Sequence, residues 1–176
     1  NPAAGLKLPK AVSNRAPVFL TLAETVKLIS TATLPRDIAL LWCLAYGLRI
    51  AEAQALQIGD VAQPNGNGLG SLMVRGKGNK ARTVPISSEA YETISAYVDD
   101  RTEGSLLLTL DGKRTISTSA IQARFKKLAI EAGIAPEKQH PHCMRHAFAT
   151  RILFDTKTIG GIYTVSKLLG HSRVAV

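Results

Sequence analysis

Residues 71–86 read "SLMVRGKGNKARTVPI". Apolar and polar side chains alternate on either side of "GKGN", which is the period of a half-buried strand, and the glycines supply the turn between the two runs. A β-hairpin is expected here. A further strand is expected just upstream, around Ile58–Ala62, with "QPNGNGLG" (63–70) as the turn that follows it. On both sides of this window the period changes. "FLTLAETVKLIS" (19–30) has Thr21 as an N-cap with Glu24 three residues on, a reciprocal cap, and then Leu22, Val26 and Ile29 at helical spacing. Pro35 suits the first turn of a second helix that runs to Tyr46, where Gly47 breaks it. "RIAEAQALQI" (49–58) starts a third helix at once, with Ile50, Ala53 and Leu56 facing inward. After the hairpin, Ser87 and Ser88 cap "EAYETISAYVDD" (89–100). "STSAIQARFKKLAIEAG" (117–133) carries Ile121, Phe125 and Leu128 on one face and ends at Gly133, a good residue just past a helix. "PHCMRHAFATRILF" (141–154) has Met144, Phe148 and Ile152 at intervals of four, and "YTVSKLLG" (163–170) makes a last helix. The expected fold is mainly α, with a small three-stranded antiparallel β-sheet.

Composition bounds the function. The 176 residues suit one domain, and 45% hydrophobic content is ample for a core. Twenty-two Lys and Arg against 13 Asp and Glu give a formal charge of +9, which points to a polyanionic partner, nucleic acid before membrane. Two cysteines provide no disulfide framework, so a reducing cytosol fits. The longest apolar stretch, Ile38–Leu48, is too short to span a bilayer. The first residues, "NPAAGLKLPK" (1–10), lack the apolar region of a signal peptide, and residues 1–16 read as a linker ahead of a domain over 17–176.

Chemically capable side chains are densest in "HPHCMRHAFATR" (140–151), with three histidines, a cysteine and two arginines. A metal reading would use His142 and His146, four apart on one helix face, with Cys143 and His140 as further ligands. It lacks the glutamate that a zinc protease helix carries beside its first histidine, and it lacks an acidic cluster. A phosphate reading fits better: His142 and Arg145 are three apart and neighbours on a helix. A guanidinium fork binds two phosphate oxygens, and an imidazole beside it can move a proton near neutral pH. The bland alternative is a helix whose polar side happens to carry His and Arg. Arg49 stands at a helix start, where the dipole disfavours a cation, so it either reaches solvent or is held for an anion, with Glu52 placed to orient it. The hairpin tip "RGKGNKAR" (75–82) holds Arg75, Lys77, Lys80 and Arg82 without an acid, an arm suited to a nucleic-acid backbone or simply a lysine-protected edge. His171 lies in "LLGHS" (168–172), just past a helix end.

Taken in order, "GLRIAEAQAL" (47–56), "GKGNKARTVPI" (76–86), "HCMRHAFAT" (142–150) and "LLGHS" resemble the tyrosine recombinases, the phage-integrase and Xer-like family. The resemblance covers about Pro17 to Ser172. It implies that Arg49 is the first catalytic arginine, supported by Glu52. Lys77 matches the hairpin lysine that protonates the leaving 5′ oxygen, His142 and Arg145 match the HxxR pair, and His171 matches the later residue at the scissile phosphate. It further implies DNA strand exchange through a 3′-phosphotyrosyl intermediate, with no metal or nucleotide cofactor, on double-stranded DNA as the partner. The assembly implied is a homo-oligomer, a tetramer on paired sites and a monomer when free, in the cytoplasm of a bacterial or phage-encoded setting. The chemistry suits the residue types. Two arginines stabilise charge that develops on the phosphate, a lysine supplies a proton to the departing oxygen, and a tyrosine stores the phosphodiester.

The chain departs from the pattern in two places. The stretch "ILFDTKTIGGIYTV" (152–165) is a few residues long for the family. The family's nucleophilic tyrosine follows the last motif histidine by roughly nine residues, a spacing that places it past Val176. The competing readings are a non-catalytic DNA-binding module, which needs only the charge, and a metal-dependent nuclease, which needs acidic ligands near the histidines.

Overall fold

The computed structural model describes residues 18–76, 80–156 and 168–169. Its helices are α1 (Leu22–Thr31), α2 (Pro35–Ala45), α3 (Ile50–Ala55), α4 (Ser88–Val98), α5 (Thr118–Glu131) and α6 (Pro141–Thr156), and its strands are β1 (Val61–Ala62), β2 (Leu69–Arg75) and β3 (Ala81–Ser87). The strands form one antiparallel sheet in the order β1-β2-β3, with Val74 opposite Arg82 and Leu72 opposite Val84. The mainly helical fold with one small sheet is as expected.

Local chemistry explains the boundaries. Thr21 and Glu24 form the reciprocal cap of α1, each accepting the other's backbone N–H. Ser117 caps α5, whose far end closes with the N–H groups of Gly133 and Ile134 on the carbonyls of Ile130 and Ala129. That closure requires a left-handed residue, and Gly133 has φ +67°.

Two expectations need correction. In α1 the apolar series Leu22, Val26, Ile29 does not pack as one face: Leu22 and Val26 are 64% and 57% exposed, while Ile29 packs partly against the core beside the buried Thr25 and Leu28. The Thr25 hydroxyl donates to the Thr21 carbonyl, so its burial strands no polar atom, and an ion pair from Lys138 to Glu24 (2.8 Å) fixes the helix entry. Upstream of the hairpin, the strand shrinks to Val61–Ala62, because Ile58–Asp60 is a 3₁₀ turn. The Asp60 carboxylate accepts the Gln57 N–H (3.0 Å) and draws the chain into that turn.

Helix α2 is the centre of the core. Ala39, Leu40, Leu41, Cys43 and Leu44 are fully buried, joined by Leu28, Ala53, Ile94, Phe125 and Leu128 from the helices around it. Its buried Asp37 is held by Arg36 (2.7 Å) and by Arg124 of α5 (2.6 Å). Among the described residues no helix is long and apolar enough to cross a membrane.

Candidate functional site

The site begins where α2 stops. Gly47 takes φ +80°, and a Cβ there would lie 2.5 Å from Phe148 Cδ1 and 3.1 Å from Leu169 Cδ2. Only glycine allows both the conformation and the close approach. The chain then passes through buried Leu48 to Arg49, the residue that caps α3. The Glu52 carboxylate accepts the Arg49 backbone N–H (2.7 Å) and also Arg49 Nη1 (2.9 Å), so the acid that begins the helix also orients the arginine. This is the pairing expected of Arg49 and Glu52.

Glu52 is only 6% exposed and serves more than Arg49. Arg82 of β3 grips it with both Nη atoms (2.9 and 2.8 Å), and Arg145 Nη1 lies 3.8 Å away. Three guanidinium groups thus surround one carboxylate. Each of them also donates to a backbone carbonyl. Arg145 donates to the Gly47 oxygen and, at 2.6 Å, to the Leu169 oxygen. Arg49 reaches the same Leu169 oxygen at 3.3 Å, and Arg82 Nε donates to the Leu168 oxygen at 2.6 Å. Residues far apart in sequence therefore converge, and Arg49 and Arg145 share an acceptor.

The electrostatics follow from this crowding. Burial alone would raise the Glu52 carboxyl, but the bonds from Arg82 and Arg49 outweigh it and hold the pKa at about 2. Arg145, 7% exposed, is pulled down to about 10 by burial and then by Arg49, and it stays charged at neutral pH. His142 sits exposed at the start of α6. Burial of part of its ring, then His140, His146, Arg145 and Arg49, hold its pKa below the usual imidazole value, which favours the neutral ring, a proton acceptor, at pH 7. An open groove of about 400 Å³ runs from His142 and His140 along α5 past Ile50, Ser119, Gln122 and Lys126.

The structure brings Arg49, Glu52 and Arg145 together and sets His142 among the charges that act on it. Lys77 and His171 lie outside the described residues. Of the hairpin cations, Lys80 is exposed, and Arg75 pairs with Asp60 (2.9 Å) while remaining on the surface. Arg82 corrects the expectation of an outward DNA contact, because its side chain is turned inward and only 10% exposed. The signal was present in the sequence: Arg82, Val84 and Ile86 alternate on the buried face of β3. The carbonyls of Gly47, Leu168 and Leu169 left no such trace, since every residue has one.

The metal reading finds no support in the ligands proposed for it. Cys143 is fully buried, its Sγ 3.2 Å from His140 Nε2, and burial pushes the thiol up to about 11. Among the described residues no three His, Cys, Asp or Glu side chains gather as a metal site would require. Two tyrosines are also accounted for: the hydroxyls of Tyr46 and Tyr97 accept the N–H groups of Ser87 (2.8 Å) and Leu108 (3.0 Å).

Residues 16–176 match the model of the phage integrase family. The chain belongs to that family. It is 34% identical over 200 residues to the tyrosine recombinase XerC 1 of Ralstonia nicotianae, covering 99% of this chain and 59% of that protein. The crystal structure of XerA recombinase superimposes with a TM-score of 0.76 at 31% identity, over 90% of this chain and 58% of that one. XerH recombinase, solved bound to difH substrate in a pre-cleavage complex, shares the fold at a TM-score of 0.77 and 22% identity, over 95% of this chain and 51% of that one. The chain spans less than three fifths of the length of these relatives. It has the fold of a tyrosine recombinase catalytic domain.

Proposed function

We propose that this chain is the phosphoryl-transfer domain of a site-specific DNA recombinase that cleaves and rejoins strands through a 3′-phosphotyrosyl intermediate. The observation that carries the reading is the meeting of Arg49 and Arg145 on one oxygen, that of Leu169, beside Glu52. Two guanidinium groups that share an acceptor are spaced to share a phosphate oxygen, where charge grows as the phosphorus is attacked. A neutral His142 next to them suits proton traffic at the same phosphate. In this reading Lys77 protonates the departing 5′ oxygen, and His171 contacts the phosphate. The attacking phenol belongs to the family's tyrosine, which follows the "LLGHS" motif.

Duplex DNA is the partner, lying along the groove between His142 and α5, with Arg75 and Lys80 on its backbone. Exchange between two duplexes cuts four strands, so a tetramer on paired sites, assembled from free monomers, is the working form. A bacterial cytoplasm, whether the gene is cellular or phage-borne, is the setting.

The test is to trap covalent protein–DNA adducts formed in cells by the full-length polypeptide and to sequence the attached DNA. Arg49→Ala and Arg145→Ala should each lower adduct yield by roughly 10²–10³-fold while leaving duplex binding within a few-fold. Chelation by EDTA should leave the yield unchanged. A protein that binds DNA and forms no adduct is a binding module, and one whose cleavage is lost to EDTA is a metal nuclease.

A further inference from the structure

We propose that Arg82 is a positioning residue: it staples the base of the Lys77 arm to Glu52 and to the backbone at Leu168, and so keeps Arg49 and Arg145 in register. The proposal rests on the reading of Arg49 and Arg145 as the phosphate clamp.

Three observations carry it. All three guanidinium nitrogens of Arg82 are engaged, Nη1 and Nη2 on the two oxygens of Glu52 and Nε on the Leu168 carbonyl. A DNA phosphate could take this arginine only by displacing a buried carboxylate, so Arg82 is no backbone contact. Second, the hairpin closes directly onto the pair. The Gly76 N–H donates to the Lys80 carbonyl (3.0 Å) at the base of the arm, and Lys77 is the next residue. A Cβ on Gly76 would stand 3.5 Å from Arg82 Nη1 and 3.7 Å from Glu52 Oε1, so the first residue of the arm already rests against the ion pair. Third, Glu52 is not private to Arg82. It also receives the backbone N–H and Nη1 of Arg49, with Arg145 Nη1 at 3.8 Å. Moving the Arg82 fork moves the carboxylate, and the carboxylate sets both arginines.

A lysine cannot substitute. It is a point charge that reaches one oxygen, whereas the planar fork binds both and leaves Nε for the carbonyl. Arg82 thus ties together three pieces of the site that come from separate parts of the sequence: the arm, the acid of α3, and the backbone that leads to His171.

The experiment uses two probes on this chain. Inorganic phosphate is titrated while the His142 imidazole signals are followed by NMR, and binding to a short duplex of arbitrary sequence is measured against salt. Arg82→Gln should remain cooperatively folded, bind phosphate about tenfold more weakly, and keep the wild-type salt slope; Arg82→Lys should fall between, about threefold weaker. Lys80→Gln should do the reverse, flattening the slope by about one unit with no change in the phosphate response. If Arg82→Gln does not fold, Arg82→Lys decides, and wild-type phosphate affinity in that variant overturns the proposal. So does an Arg82→Gln that flattens the slope as Lys80→Gln does and leaves phosphate binding intact. Arg49→Gln separates the two layers. If it abolishes the phosphate response and Arg82→Gln does not weaken it, only the role of Arg82 is wrong. If the wild-type chain shows no response, or Arg49→Gln leaves it unaltered, the phosphate clamp itself is wrong and Arg82 falls with it.

Discussion

Glu52 is the residue on which the charges of the site balance. A single buried carboxylate faces Arg49, Arg82 and Arg145, and it stays ionised down to a pKa of about 2. The sign of the consequence is fixed. A carboxyl whose folded pKa lies below its ordinary 4.5 adds stability that is fully present above that value and is lost as pH falls through it toward 2. The amount is on the order of 3 kcal/mol. Glu52→Gln keeps the shape but leaves the arginines without their counter-charge. It should lower stability at neutral pH by roughly 3–5 kcal/mol, the scale seen when one partner of a buried pair is removed. It should also erase the acid-dependent loss between pH 4.5 and 2. Urea unfolding of both proteins at pH 7 and pH 3 measures this, and a variant whose stability falls between those two pH values as steeply as wild type contradicts the assignment.

At the scale of elements, the sharpest constraint is the turn after α2. Gly47 combines φ +80° with a gap that a methyl group cannot enter, and its carbonyl holds Arg145. Gly47→Ala should therefore cost at least about 2 kcal/mol, seen as a drop of several degrees in Tm, and Phe148→Leu in the same chain should recover part of it by opening the space. The arm makes a different prediction. Lys80 is exposed, so Lys80→Glu should weaken binding to all duplex sequences alike and flatten the salt dependence without altering Tm, as a comparison of binding isotherms and melting curves will show. The elements also show what a sequence discloses. The hairpin, the cap at Thr21 and the stop at Gly133 were legible because each rests on chemistry within a few residues. The face of α1 was not: Leu22 and Val26 turn to solvent while Thr25, Leu28 and Ile29 turn to the core, and the choice was made by α2 and α5. The strand expected from Ile58 yielded to a side chain, Asp60, that captured a backbone N–H. Arg82 is ambiguous for another reason: its charge points to solvent, while its place in the alternation of β3 points to the buried face.

For the whole molecule, the site lies where elements end. The turn after α2, the cap of α3, the base of the hairpin, the first turns of α6 and the carbonyls of Leu168 and Leu169 meet around one carboxylate, and α2 fixes their spacing from the core. The order of motifs carried the expectation that Arg49, Glu52 and Arg145 meet, but no local pattern could show that backbone oxygens accept from the arginines. This arrangement bears on the nucleophile. A phenol that attacks in line must reach the phosphate from the side opposite the leaving oxygen, and a misplacement of about 1 Å is costly. Tyr46 cannot meet that demand, because its ring packs against Trp42 and Phe148 while its hydroxyl accepts the Ser87 N–H. Tyr97 spends its hydroxyl on Leu108 under the guanidinium of Arg101. Tyr91 packs against the core on α4. Tyr163 precedes "LLGH" in the sequence, whereas the family's nucleophile follows it. The 176-residue chain should therefore bind duplex DNA in a salt-dependent way and form no covalent adduct with a suicide substrate. Supplying a tyrosine-bearing segment after the "LLGHS" motif, in the same chain or from a second protomer, should allow cleavage, with the adduct mapped by mass spectrometry to that tyrosine. An adduct on the 176-residue chain alone, mapped to Tyr163, would overturn the alignment of everything after α6.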